Sequence, residues 1–344
     1  MANNNSKQQA LLSLVTIGSQ GFNAKLSYVI KDVIPANSLC SIYGASGAYK
    51  SFLAISWACH ISSGIAWGDK KVSQGVVLYI VGEGGIGVPR RIKAWELNYN
   101  ESINYLYLIN TPIFLASNRE VKNILRIVEH IKKETELPIQ MIVIDTLARC
   151  FGGADENDAK DMGAFIRGCD ELKIKTGATV LILHHSGKDE SKGARGSSAF
   201  RAALDAEYQI IREGDEGALI MKCTKMKDAE EMPSTAYDLK AFELYLDEDG
   251  EVITSLCVID KGREPIQDEP FNNTSNTSKN HLAVWNCIRS RTVDSDVCFK
   301  SVIREDVKKL GIDTKNFSRW LTKLVDSDLI RVDNNSIFLV NKNE

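Results

Sequence analysis

The chain has 344 residues, 44% of them hydrophobic and 25% charged, a balance ordinary for a globular protein with a sizeable core. A formal net charge of −3 excludes a uniformly basic nucleic-acid binder and leaves room only for a local basic face. No window approaches about 18 consecutive apolar residues, so no membrane span is expected; eight isolated cysteines and five histidines speak against disulfides and a His/Cys metal site.

The N-terminal stretch MANNNSKQQALLSLVTIGSQG has no basic region leading into an apolar core and a cleavage site, so a cytoplasmic location is expected. About the first 20 residues read as flexible or subunit-linking. Four apolar runs follow: SLCSIYG (38–44), GVVLYIVGEG (75–84), IQMIVIDT (139–146) and ATVLILHHS (178–186). Each is nearly continuous in Val, Ile and Leu and ends in glycine or polar residues, which predicts strands buried on both faces of a parallel sheet. Residues 51–64, 118–135 and 156–177 lie between them and predict helices, so the fold class is α/β. Segments 206–213, 218–227, 242–248 and 251–260 then predict antiparallel strands at one edge of the same sheet.

Composition shifts at residues 263–280, where two prolines and several Asn, Ser and Thr predict a linker between a domain over 1–262 and a smaller one over 281–344. In the smaller domain, helices are expected over 281–291, 303–312 (closed by Gly311) and 314–330 (opened by Thr314). Two short strands follow around an Asn-Asn turn. That order is the winged-helix order.

GASGAYKS comprises Gly44, Ala45, Ser46, Gly47, Ala48, Tyr49, Lys50 and Ser51, between an expected strand and an expected helix. A phosphate-binding loop needs that context, backbone N–H groups at a helix N-terminus, a lysine for the β/γ-phosphates and a hydroxyl for Mg²⁺. Tyr49 stands where the pattern asks for glycine. Glu83, Asp145 and the pair His184 and His185 fall at the ends of the next three strands, where open α/β sheets bind ligands. A carboxylate at Glu83 could orient and deprotonate a water, Asp145 could hold Mg²⁺, and a histidine could sense the γ-phosphate. Taken singly, each residue also has a plainer role: a loop acid, a helix cap or a structural histidine.

In this order, GASGAYKS, YIVGEGG with Arg90 and Arg91, VIDTLARC, HHSGK with RGSSAFR, and MKCTKMK resemble the RecA-type ATPases. The chain is most similar to the RepA-like hexameric helicases of plasmids and phages, the AAA_25 group, over roughly residues 25–260. The resemblance implies a RecA-like core with ATP and Mg²⁺ as cofactors. It implies nucleotide contacts from residues 44–51 and Arg91, Mg²⁺ at Ser51 and Asp145, a base at Glu83 and a sensor at His184 or His185. It also implies cations contributed to the neighbouring subunit's site, for which Lys225, Lys227 and Arg195 are the matches. Further implications are a homo-oligomer in the form of a hexameric ring, single-stranded DNA in a central channel, and a replication initiator or primase as partner.

Lys188 and Lys192, in the glycine-rich loop 187–196, suit contact with single-stranded nucleic acid, though a solvated surface loop reads the same way. Lys315, Arg319 and Lys323 give the last helix a basic character that suits duplex DNA or a protein partner. Three functions fit these readings: a ring helicase driven by ATP hydrolysis, a filament-forming recombinase or loader, and a DNA-binding regulator with little turnover.

Overall fold

The computed structural model describes residues 27–82, 85–153, 155–186, 197–213, 218–265, 279–292, 297–327 and 329–340. The chain divides into two compact units, Met1–Pro265 and Ile266–Glu344. No helix among the described residues is long and apolar enough to cross a membrane.

The first unit is mixed α/β around a nine-stranded, mostly parallel sheet, an arrangement that fits a RecA-like core. A small hairpin, β1 (Tyr28–Ile30) and β2 (Ile34–Pro35), precedes it. Six strands run parallel: β3 (Leu39–Gly44), β4 (Val76–Val81), β5 (Leu106–Ile109), β6 (Ile139–Asp145), β7 (Thr179–His185) and β8 (Ala206–Glu213). Their order in the sheet is β8-β3-β7-β6-β4-β5. β9 (Ala218–Met226), β10 (Thr235–Leu246) and β11 (Val252–Val258) extend the β8 edge antiparallel.

The apolar runs conceal a strict two-residue alternation. Met141 and Val143 of β6, Val77, Tyr79 and Val81 of β4, and Leu181 and Leu183 of β7 enter one core. That core packs beneath α1 (Lys50–Ser63) and α2 (Gly87–Tyr99), where Trp57 and Trp95 are buried. Ile142 and Ile144, Leu78 and Ile80, and Val180 and Ile182 enter a second core on the other face. α3 (Asn118–Thr135) and α5 (Ala159–Thr176) cover it through Val121, Ile124, Phe165 and Leu172. A fully buried aliphatic side chain contributes about 1.5–3 kcal/mol, so the two faces together make the sheet the rigid scaffold of the unit.

α2, β5 and the β1–β2 hairpin lie outside the elements expected from the sequence. β10 starts seven residues before the expected segment at 242. All eight cysteines are free and buried, in keeping with the reading of unpaired core thiols.

The second unit holds α7 (Lys279–Arg291), β12 (Val297–Phe299), α8 (Lys300–Lys309), α9 (Phe317–Asp326), β13 (Ile330–Asp333) and β14 (Ser336–Leu339). The strands form an antiparallel sheet in the order β12-β14-β13, with β12 an addition to the expected hairpin. Phe317, Trp320, Leu321 and Leu324 bury one face of α9. Thr314 does not open that helix: a 3-10 turn over Thr314–Asn316 comes first, capped by Asp313, and buried Thr314 instead accepts from Arg304 Nε at 3.3 Å.

Candidate functional site

β3 ends at Gly44, pressed against β8: a Cβ at Gly44 would lie 2.2 Å from the Ile210 carbonyl oxygen, so only glycine fits there. The loop then turns through Gly47 at φ 80° and Tyr49 at φ 64°, and α1 begins at Lys50. No side chain caps α1, and a helix N-terminus of this kind is where an anion binds. Lys50 is buried, and its Nζ donates to the carbonyls of Gly44 (2.9 Å) and Ala45 (2.7 Å). Ser51 follows within the first turn rather than capping the helix.

Tyr49 occupies the left-handed region that glycine takes without strain. Its ring meets Phe52 edge-on at 5.7 Å between centroids and lies under the Arg212 guanidinium at 5.3 Å. Phe52 in turn carries Arg91 at 4.2 Å over its ring. Two arginines, from β8 and α2, therefore cover the aromatic residues on either side of Lys50 and Ser51. Arg90 turns elsewhere and donates to the Tyr245 hydroxyl at 2.7 Å.

Asp145 closes β6 and is 4% exposed. The alternation puts its carboxylate on the α1 face, with Met141 and Val143. There Oδ2 accepts from the Tyr79 hydroxyl at 2.7 Å. Burial, with the neighbouring Asp145 charge second, holds the Tyr79 phenol well above its usual range, so it stays protonated and donating. Thr146, not Asp145, occupies the N-cap position of α4 (Leu147–Cys150), so the plain capping role for the acid does not apply.

The same alternation separates the two histidines. His185 pairs in register with Gly44 and follows Leu181 and Leu183 onto the α1 face. His184 is buried on the opposite face, 5.7 Å from the Phe200 ring. Phe200 belongs to α6 (Ser198–Ala203), whose first turn is capped by Ser197 accepting from Ala199 N at 3.3 Å. Glu83, Lys188, Lys192 and Arg195 lie outside the described residues.

Lys225 and Lys227 are not brought to this site. Lys225 stands opposite Glu207, level with Ser41. Three residues at roughly 3.3 Å each put that level about 10 Å down the sheet from Gly44. Its Nζ donates to the carbonyls of Arg201 (2.8 Å) and Ala202 (3.3 Å) at the end of α6. Lys227 reaches Asp205 Oδ1 at 3.5 Å, with its side chain 63% exposed. In the second unit Lys315 and Arg319 are exposed and Lys323 is half-buried. Lys315 pairs with Asp313 at 3.3 Å. Lys300, Arg304 and Lys308 of α8 line a hollow beside Phe317 and Leu321, a basic set that the sequence reading did not single out.

The buried Asp145 carboxylate and the Ser51 hydroxyl are both oxygen donors, the kind a hard cation such as Mg²⁺ takes. No group of three or more His, Cys, Asp or Glu side chains that could hold a metal ion occurs among the described residues. A loop from a buried parallel strand into an uncapped helix, with an acid two strands away on the same face, defines the class: a P-loop ATPase-like domain that takes a nucleotide. A family model described as an AAA domain, AAA_25, matches residues 5–191, and the chain belongs to that family. Membership supports nucleotide binding, typically with Mg²⁺, and ATPase activity in general. No curated protein matches the chain.

Tyr79, Phe52 and Arg212 escaped the sequence reading. Each sits in a segment read only as a strand or a helix, and only the packing of those segments shows which side chains reach the site.

Proposed function

We propose that the protein is an ATP-hydrolysing nucleic-acid motor, a RepA-like ring helicase serving replication of a mobile element and translocating on single-stranded DNA. The observation that carries this reading is the division of the cations. Lys50 and Ser51 share a face with Asp145 and His185, whereas Lys225 lies about 10 Å down the sheet and Lys227 further still. A site whose second set of cations cannot fold back to it is completed by a neighbouring copy, and a ring supplies one neighbour to every site.

In this reading the N–H groups of residues 44–51 and the Lys50 ammonium bind the phosphates, with Arg91 close by, while Ser51 and Asp145 hold Mg²⁺. The cation, when bound, offsets charge on the β- and γ-phosphate oxygens. Glu83 orients and deprotonates the attacking water. His185, on the α1 face, reads the γ-phosphate, and His184 is a packing residue for Phe200. Lys227, the more exposed of the two lysines, stabilises charge on the neighbour's γ-phosphoryl, with Arg195 as a further donor. Lys188 and Lys192 grip the strand in the channel.

The helix–strand–helix–helix–hairpin order of the second unit supports a winged-helix reading in which Lys315, Arg319 and Lys323 contact duplex DNA or a replication initiator or primase. Electron microscopy of the full chain with single-stranded DNA and a non-hydrolysable ATP analogue tests the proposal. Closed six-membered rings are the expected result. Continuous filaments would replace it with the recombinase or loader reading, and monomers with the regulator reading.

A further inference from the structure

Tyr79 is fully buried, and its position on β4 follows from packing: with Val77 and Val81 it faces the core under α1 and α2. Phenylalanine would fill that place equally well, so burial alone does not call for the hydroxyl. A buried phenol needs an acceptor, and an unpaired one would cost about 1–3 kcal/mol. The acceptor it finds belongs to the neighbouring strand. Tyr79 stands opposite Val143 in the β4–β6 register, and its ring leans toward the strand end to reach Asp145 Oδ2 at 2.7 Å.

A carboxylate 4% exposed is itself costly to keep ionised without donors. A neutral donor meets part of that need and fixes the orientation of the group while leaving its negative charge in place for a cation. Tyr79 also stands four residues before Glu83 in the sequence, so one short segment carries both the proposed base and the donor to the Mg²⁺ ligand.

We propose that Tyr79 is a positioning residue: its hydroxyl holds the Asp145 carboxylate in the orientation that receives the nucleotide-bound Mg²⁺. The inference rests on the reading of Asp145 as a Mg²⁺ ligand. Outer-shell donors of this kind are worth about 10–100-fold in metal affinity.

The test is equilibrium binding of a fluorescent ATP analogue to the full chain, titrated with MgCl₂, for wild type, Tyr79→Phe and Asp145→Asn, with melting curves taken in EDTA. Tyr79→Phe should raise the Mg²⁺ midpoint roughly 10-fold and leave analogue affinity in EDTA unchanged. A hydroxyl that serves only the stability of the fold would move the melting curve and not the midpoint. Should Tyr79→Phe fail to fold, Tyr79→Met, which also lacks the hydroxyl and keeps similar bulk, gives the same readout. A raised midpoint for Asp145→Asn beside an unchanged one for the Tyr79 variants overturns the Tyr79 proposal alone. An unchanged midpoint for Asp145→Asn overturns the ligand reading, and this proposal with it.

Discussion

Replacing Tyr49 by glycine removes a residue held at φ 64°, ψ 18°, and the balance can be worked from its contacts. Relief of the left-handed backbone contributes about 1–2 kcal/mol, and the added freedom of the unfolded glycine takes back about 0.5–1. Against this gain the variant loses the edge contact with Phe52, worth about 0.5–1.5 kcal/mol, and the Arg212 contact, worth about 0.5–1 at a half-exposed site. The expected outcome is a net loss near 1 kcal/mol. For a unit of this size that is a fall in Tm of roughly 2–4 °C.

Tyr49→Phe keeps the ring and should melt with wild type. Circular dichroism melts without nucleotide measure the stability, and a fluorescent ATP analogue measures binding. Binding by Tyr49→Gly should stay within a few-fold of wild type, because the ring packs on Phe52 beside α1. A glycine variant that melts above wild type would refute the reasoning, since the ring contacts would then contribute nothing.

Lys227→Ala should lower kcat by on the order of 10³-fold with nucleotide binding retained, and mixing it with Lys50→Ala subunits should restore part of the turnover. Lys225→Ala should instead lower Tm, through loss of the two α6 carbonyl contacts. His60 packs between Trp95 and Tyr99; its burial lowers its pKa, while Asp260 pulls the other way and loses. In the fold it therefore takes up its proton at a lower pH than in the unfolded chain, where that happens near pH 6.5. Its contribution is present above that pH and is lost below it, by up to about 1.4 kcal/mol per pH unit. His60→Phe should flatten the fall in Tm measured from pH 7.5 to 5.5.

The central strands were legible because both faces of the parallel sheet are covered, which turns β3, β4, β6 and β7 into unbroken apolar runs ending in the residues that matter. β5 was not legible: every residue of LYLI is half-buried at the sheet edge, so it shows neither a continuous run nor an alternation. α2 was hidden by Gly87 and Pro89 at its start; proline is tolerated in a first turn, but there it reads as a loop. Which histidine lies on the Asp145 face of the sheet, and that Tyr79 reaches Asp145, depend on which neighbours each strand acquires and in what register. That information lies in the pairing and not in any one segment.

α6 is six residues long, yet it touches both halves of the proposed machine. Phe200 rests on the His184 ring, and the carbonyls of Arg201 and Ala202 hold the Lys225 ammonium. α6 therefore ties the end of β7, through Phe200, to β9, through the Lys225 ammonium. In the proposed ring, a displacement of the β7 end is expected to reach the strand next to Lys227 through this one short helix.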